Sequence, residues 1–65
     1  MRIQVNGAWR DTGAEQLAAA LEDLGYGDSI VTTALNGEFV AVGARARTAL
    51  REGDRLEVLA PMQGG

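Results

Sequence analysis

Apolar and polar residues alternate from the start of the chain. Ile3 and Val5 are set between Arg2, Gln4 and Asn6, the period of two of a half-buried strand. Asn6-Gly7 is the dipeptide best suited to the positive φ angles of a type I′ turn, so Ala8-Trp9-Arg10-Asp11 is predicted to return as a second strand. The period then changes. Ala14, Leu17, Ala18, Leu21 and Leu24 follow the i, i+3, i+4, i+7 spacing of one helical face, with Glu15, Glu22 and Asp23 away from it. Thr12-Gly13-Ala14-Glu15 reads as a capping box in front of that helix. Gly25 stands where a left-handed residue closes a helix, and Tyr26 where it packs back over the last turn.

Beyond the Gly27-Asp28-Ser29 loop, Ile30 to Leu35 is β-branched and apolar enough for a central strand. Asn36-Gly37 repeats the turn signal, and Glu38-Phe39-Val40-Ala41-Val42 is its predicted partner strand. Gly43 to Leu50, rich in Ala and Arg, can hold a turn of helix, and Arg51-Glu52-Gly53-Asp54 reads as another turn. Arg55 to Ala60 closes the fold as a strand with Leu56 and Val58 facing inward, ended by Pro61, which removes a ladder donor. The expected architecture is α+β: a mixed sheet of four to five strands with one main helix packed on it. Residues 1–60 form the domain and residues 61–65 a flexible tail.

Composition narrows the chemistry. The 65 residues allow one small domain, and 11 of the 30 apolar residues are Ala, which leaves 19 larger ones to build a core. There is no Cys and no His, so there is no thiolate site, no cysteine nucleophile and no imidazole for proton transfer near neutral pH. All six cations are Arg, which excludes a Schiff-base or P-loop lysine. A net charge of -3 with dispersed Arg and three aromatics lacks the basic stripe and stacking platform of a nucleic-acid binder. Glu22-Asp23 are adjacent helix residues that do not converge on a metal, and they read as a solvated face. The apolar runs are too short to span a bilayer and the N-terminus has no signal-peptide pattern, so a cytoplasmic protein is expected. Self-contained catalysis is not expected, and no bound cofactor or metal is.

The glycines direct attention to the end of the chain. Seven of the nine fall at predicted element boundaries, whereas Gly64 and Gly65 have nothing after them to turn or cap. The simplest reading is a frayed terminus of small residues. The alternative is chemical. A tail of Met62-Gln63-Gly64-Gly65 can thread a narrow channel and present a carboxylate with no side chain beside it to a phosphate. Phe39 and Val40, on a strand of a thin sheet, and Leu59 near the tail are candidates for a surface on which a partner docks; Trp9 fits either core or surface.

Three segments carry a resemblance. Ala34-Leu35-Asn36-Gly37-Glu38-Phe39-Val40, Leu50-Arg51-Glu52-Gly53-Asp54-Arg55-Leu56 and Met62-Gln63-Gly64-Gly65, in this order and spacing, resemble the ThiS family of small sulfur carriers of thiamin biosynthesis. The resemblance extends over essentially the whole chain. One departure is that Ala41-Val42 stand where members often carry Pro followed by a basic residue. The resemblance implies the ubiquitin-like β-grasp fold and a carrier cycle. A ThiF-type enzyme would use ATP and Mg²⁺ to adenylate the Gly65 carboxylate. Sulfur from a donor such as a cysteine desulfurase would convert it to a thiocarboxylate, and a ThiG-type thiazole synthase would accept the sulfur. The carrier would supply no catalytic group.

Two other roles fit the same tail. A MoaD-like small subunit of molybdopterin synthase shares the fold and the Gly-Gly end but is usually longer and richer in aromatics. A ubiquitin-like modifier would be found joined covalently to other proteins.

Overall fold

In the computed structural model, which describes residues 1–60, two tight hairpins and one short helix assemble around the last strand. The first hairpin joins β1 (Arg2–Val5) to β2 (Ala8–Asp11) through Asn6 (φ 51°) and Gly7 (φ 85°). The second joins β3 (Thr32–Leu35) to β4 (Glu38–Val40) through Asn36 (φ 51°) and Gly37 (φ 84°). Both carry the left-handed pair that a type I′ turn demands. β5 (Arg55–Leu59) runs between the hairpins, parallel to β1 and antiparallel to β3, giving the order β2-β1-β5-β3-β4. The five-stranded mixed sheet with one main helix is the architecture expected. β3 is an interior strand, but the middle of the sheet is β5.

Alternation along the strands divides the sheet into two faces. Ile3, Val5, Leu56 and Val58 are buried on one face, with Thr33 at 0% exposure among them. Helix α1 (Leu17–Asp23) covers that face, burying Leu17, Ala20 and Leu21, with Leu24 just beyond it. The expected helical face is thus rotated. Ala20 takes the buried position assigned to Ala18, and Ala14 and Ala18 are only half-buried. Three consecutive alanines offer two overlapping stripes of the same spacing, and contact with the sheet selects one.

The start of the helix is also corrected. The Thr12 hydroxyl accepts from the Ala14 N–H (3.1 Å) and donates to Asp23 Oδ2 (2.7 Å), so it makes no capping box with Glu15. Gln16 is the N-cap and its side chain makes no capping bond. The cause is long-range pairing. Gln16 bridges Ala49, the Leu17 N–H donates to the Thr48 carbonyl (2.9 Å), and the Leu50 N–H donates to the Glu15 carbonyl (2.9 Å). Residues 15 and 16 are committed to an extended neighbour, so the helix begins only at Leu17.

The end of the helix is the one expected. Gly25 has φ 96°. The Tyr26 N–H donates to the Leu21 carbonyl (2.8 Å) and the Gly25 N–H to the Glu22 carbonyl (3.1 Å), the paired bonds of a Schellman motif. Tyr26 packs against the core as a half-buried side chain.

Three strands are shorter than the pattern predicts, β5 by the single residue Ala60. Ile30 is 84% exposed and lies outside β3. β4 stops at Val40, and the chain turns into a 3₁₀ helix, Val42–Arg47, which starts one residue before the stretch expected to hold a helical turn. Ala41 has φ -67° and ψ 153°, and its carbonyl takes the Ala44 N–H at 2.9 Å.

Candidate functional site

The tail is launched from the open end of β5. Leu59, the last residue of that strand, lies opposite Thr32, the first of β3. The chain therefore leaves the sheet beside Val31, between the outer sheet face and the end of the sheet where the 3₁₀ helix is anchored. Met62, Gln63, Gly64 and Gly65, with Pro61, lie outside the described residues.

The three candidate docking residues do not share a face. Phe39 is 70% exposed and Leu59 61% exposed, and both point away from the helix. Phe39 pairs with Ala34, which pairs in turn with Glu57, so Ala34 lies between Phe39 and β5 on the outer surface. Val40, the next residue after Phe39, points to the opposite face and packs half-buried against the core. Trp9, pairing with Gln4, is half-exposed on the outer face with the Arg2 guanidinium 5.2 Å from its ring centroid.

Behind the tail root, a polar network ties the 3₁₀ helix to β3. The buried Thr33 hydroxyl donates to the Val40 carbonyl (2.9 Å) and accepts from Arg45 Nε (3.1 Å). Arg45 Nη2 also donates to the Val31 carbonyl (2.6 Å). A threonine at 0% exposure is thus satisfied on both sides. Sequence reading attached no role to Arg45, because the partners of its side chain lie 12 and 14 residues away. The only local signal was a basic residue in an Ala-rich turn.

Among the described residues, no group of three carboxylates is placed to hold a metal, and no helix is long and apolar enough to cross a membrane. What the described part can do is present. It supplies a rigid sheet with exposed apolar side chains beside the point from which a short, Gly-ended segment departs.

Comparison with known proteins agrees with this geometry. The ThiS family model matches residues 3–65. A crystal structure of a thiamine biosynthesis protein (ThiS) from Geobacter metallireducens superposes with a TM-score of 0.79 at 34% identity, covering 100% of both chains. A solution structure of a thiamine biosynthesis protein from the same organism gives a TM-score of 0.77 at 35% identity, covering 100% of this chain and 88% of that one. No curated protein matches the chain significantly.

Proposed function

The chain belongs to the ThiS family, with the ubiquitin-like β-grasp fold and a sulfur carrier role, and we propose that the Gly65 carboxylate is the atom group on which it carries sulfur. The observation that supports this reading is that the family match runs through residue 65 and so includes the Gly-Gly end.

The chemistry follows from what a carboxylate lacks. Direct displacement would have to expel oxide, so the group must first be activated. In the proposed cycle a ThiF-type enzyme binds ATP and Mg²⁺, and a Gly65 oxygen attacks the α-phosphorus and expels pyrophosphate. The acyl-adenylate then has AMP as its leaving group. The terminal sulfur of a persulfide, drawn from cysteine by a desulfurase, attacks the acyl carbon. Cleavage of the S–S bond by a thiol leaves the thiocarboxylate, which a ThiG-type synthase consumes in building the thiazole ring. Apart from the Gly65 carboxylate itself, every acid, base and nucleophile belongs to a partner, in keeping with a carrier that has no His, Cys or Lys. All of these steps take place in the cytoplasm.

The body of the carrier contributes docking and reach. Fully extended, the five residues after Ala60 would reach roughly 17 Å at about 3.3–3.6 Å each, enough to carry the carboxylate into a recessed nucleotide site. Holding the tail there costs binding energy, and the apolar surface around Phe39 and Leu59 offsets it.

Extension by one Ala after Gly65 tests the assignment. A displacement of about 1 Å can cost some 100-fold in rate. The extended chain should therefore still bind the adenylating enzyme but support no ATP–pyrophosphate exchange. It should also show no replacement of oxygen by sulfur in its intact mass. Activation of the extended chain at the parent rate, without trimming, would remove Gly65 from the reaction and with it the carrier cycle.

A further inference from the structure

A cleft of about 190 Å³ opens between α1 and the 3₁₀ helix, walled by Leu21, Tyr26 and Val42, with Arg45 along one side and Glu22 on the other. Val42 is 72% exposed, a large apolar side chain held at the cleft mouth with no core to fill. The two charged residues are disposed differently. The Glu22 carboxylate is folded back against Gly27, in the space a Cβ there would occupy. Arg45 is held on the other side by the Val31 carbonyl and the Thr33 hydroxyl, bonds that use Nε and one Nη2 proton. Among the described residues, its Nη1 protons and the second Nη2 proton meet no further acceptor.

Charge along the chain is segregated around this place. Between Glu38 and Glu52 there is no carboxylate, and the interval holds Arg45, Arg47 and Arg51, half of the six cations of a chain with net charge -3. An acidic protein therefore concentrates positive charge on the segment that forms the cleft wall. The same wall stands at the root of the tail. The Val31 carbonyl that anchors Arg45 immediately precedes Thr32, the residue opposite Leu59. A protein that grips the tail meets the cleft with the adjoining part of its surface.

We propose that this cleft is a second docking point for the adenylating partner, and that it receives an acidic side chain, paired with Arg45, on a segment whose apolar neighbour packs on Val42. The inference rests on the carrier reading and adds to it the chemistry of the partner's contact. A fixed guanidinium with spare N–H groups gives direction to the encounter, and the apolar wall excludes water from the pair.

Val42→Asp and Arg45→Gln are the variants to test, against Arg10→Gln, which removes an exposed cation from β2 at the far edge of the sheet. Thermal midpoints establish that each is folded. The probe is the purified ThiF-type enzyme, with Kd measured at low and high salt and the KM for the carrier taken from ATP–pyrophosphate exchange. The expected result is a loss of about tenfold in Kd and KM for Val42→Asp and Arg45→Gln, with no change for Arg10→Gln. Salt should weaken the parent complex more than that of Arg45→Gln, because the screened pair is already gone. If the parent is activated and both cleft variants match it in Kd, KM and salt response, the docking point is refuted while the carrier cycle stands. If the parent itself gains no adenylate, the carrier reading fails first and takes this inference with it.

Discussion

The side-chain amide of Asn6 pairs with both backbone groups of Val58: Nδ2 donates to the carbonyl at 3.0 Å, and the Val58 N–H donates to Oδ1 at 2.8 Å. The amide stands in for a peptide unit and continues the β1–β5 ladder beyond the turn. Asn36 makes a related contact from the other side of β5, accepting from the Arg55 N–H (2.9 Å) and donating to Asp54 Oδ1 (3.0 Å). Each hairpin thus uses the Asn that shapes its turn to grip the strand from which the tail departs.

Asn6→Gly separates the two tasks, since Gly keeps the left-handed φ and loses only the amide. Two hydrogen bonds at about 0.5–1.5 kcal/mol each predict a loss of about 1–3 kcal/mol in urea unfolding. Asn36→Gly should cost less, because its bonds are exposed whereas those of Asn6 are half-buried. No loss for Asn6→Gly would mean that the Val58 contact adds nothing beyond the turn.

Gly37→Val tests the turn backbone alone. Nothing lies within 4 Å of a Cβ added there, so the whole cost comes from holding a β-branched residue at φ +84°. That strain is about 1–3 kcal/mol, a large share of the stability of so small a domain. A thermal midpoint equal to that of the parent would contradict the type I′ assignment.

Thr12→Val removes a hydroxyl from a residue only 4% exposed and leaves the Ala14 N–H and the Asp23 carboxylate without it. The expected loss is about 1–3 kcal/mol by chemical denaturation, with Thr12→Ser close to the parent. Glu15→Ala, which a capping box would penalise, should be nearly silent.

Removal of Gly64 and Gly65 should leave the thermal midpoint unchanged, because neither glycine has a side chain to bury. The same protein should support no ATP–pyrophosphate exchange. A large drop in midpoint would instead give those glycines a part in stability.

The features legible in the sequence are those settled within a few residues. Asn6-Gly7 and Asn36-Gly37 specify their turns because left-handed φ is a local steric matter, and Gly25 with Tyr26 specifies the helix end for the same reason. The inward faces of Leu56 and Val58 follow from alternation alone. Tertiary structure decided whatever depended on a distant partner. The pairing of residues 15–17 with 48–50 took the helix start away from Thr12 and freed its hydroxyl to reach Asp23. Contact with the sheet chose Ala20 over Ala18. The turn of the chain after Val40 ended β4 early and placed Arg45 beside the carbonyl of Val31, whereas alternation along that short strand set Phe39 and Val40 on opposite faces. A one-dimensional pattern records which residues prefer burial or a given φ, and only closure of the chain determines which of them meet.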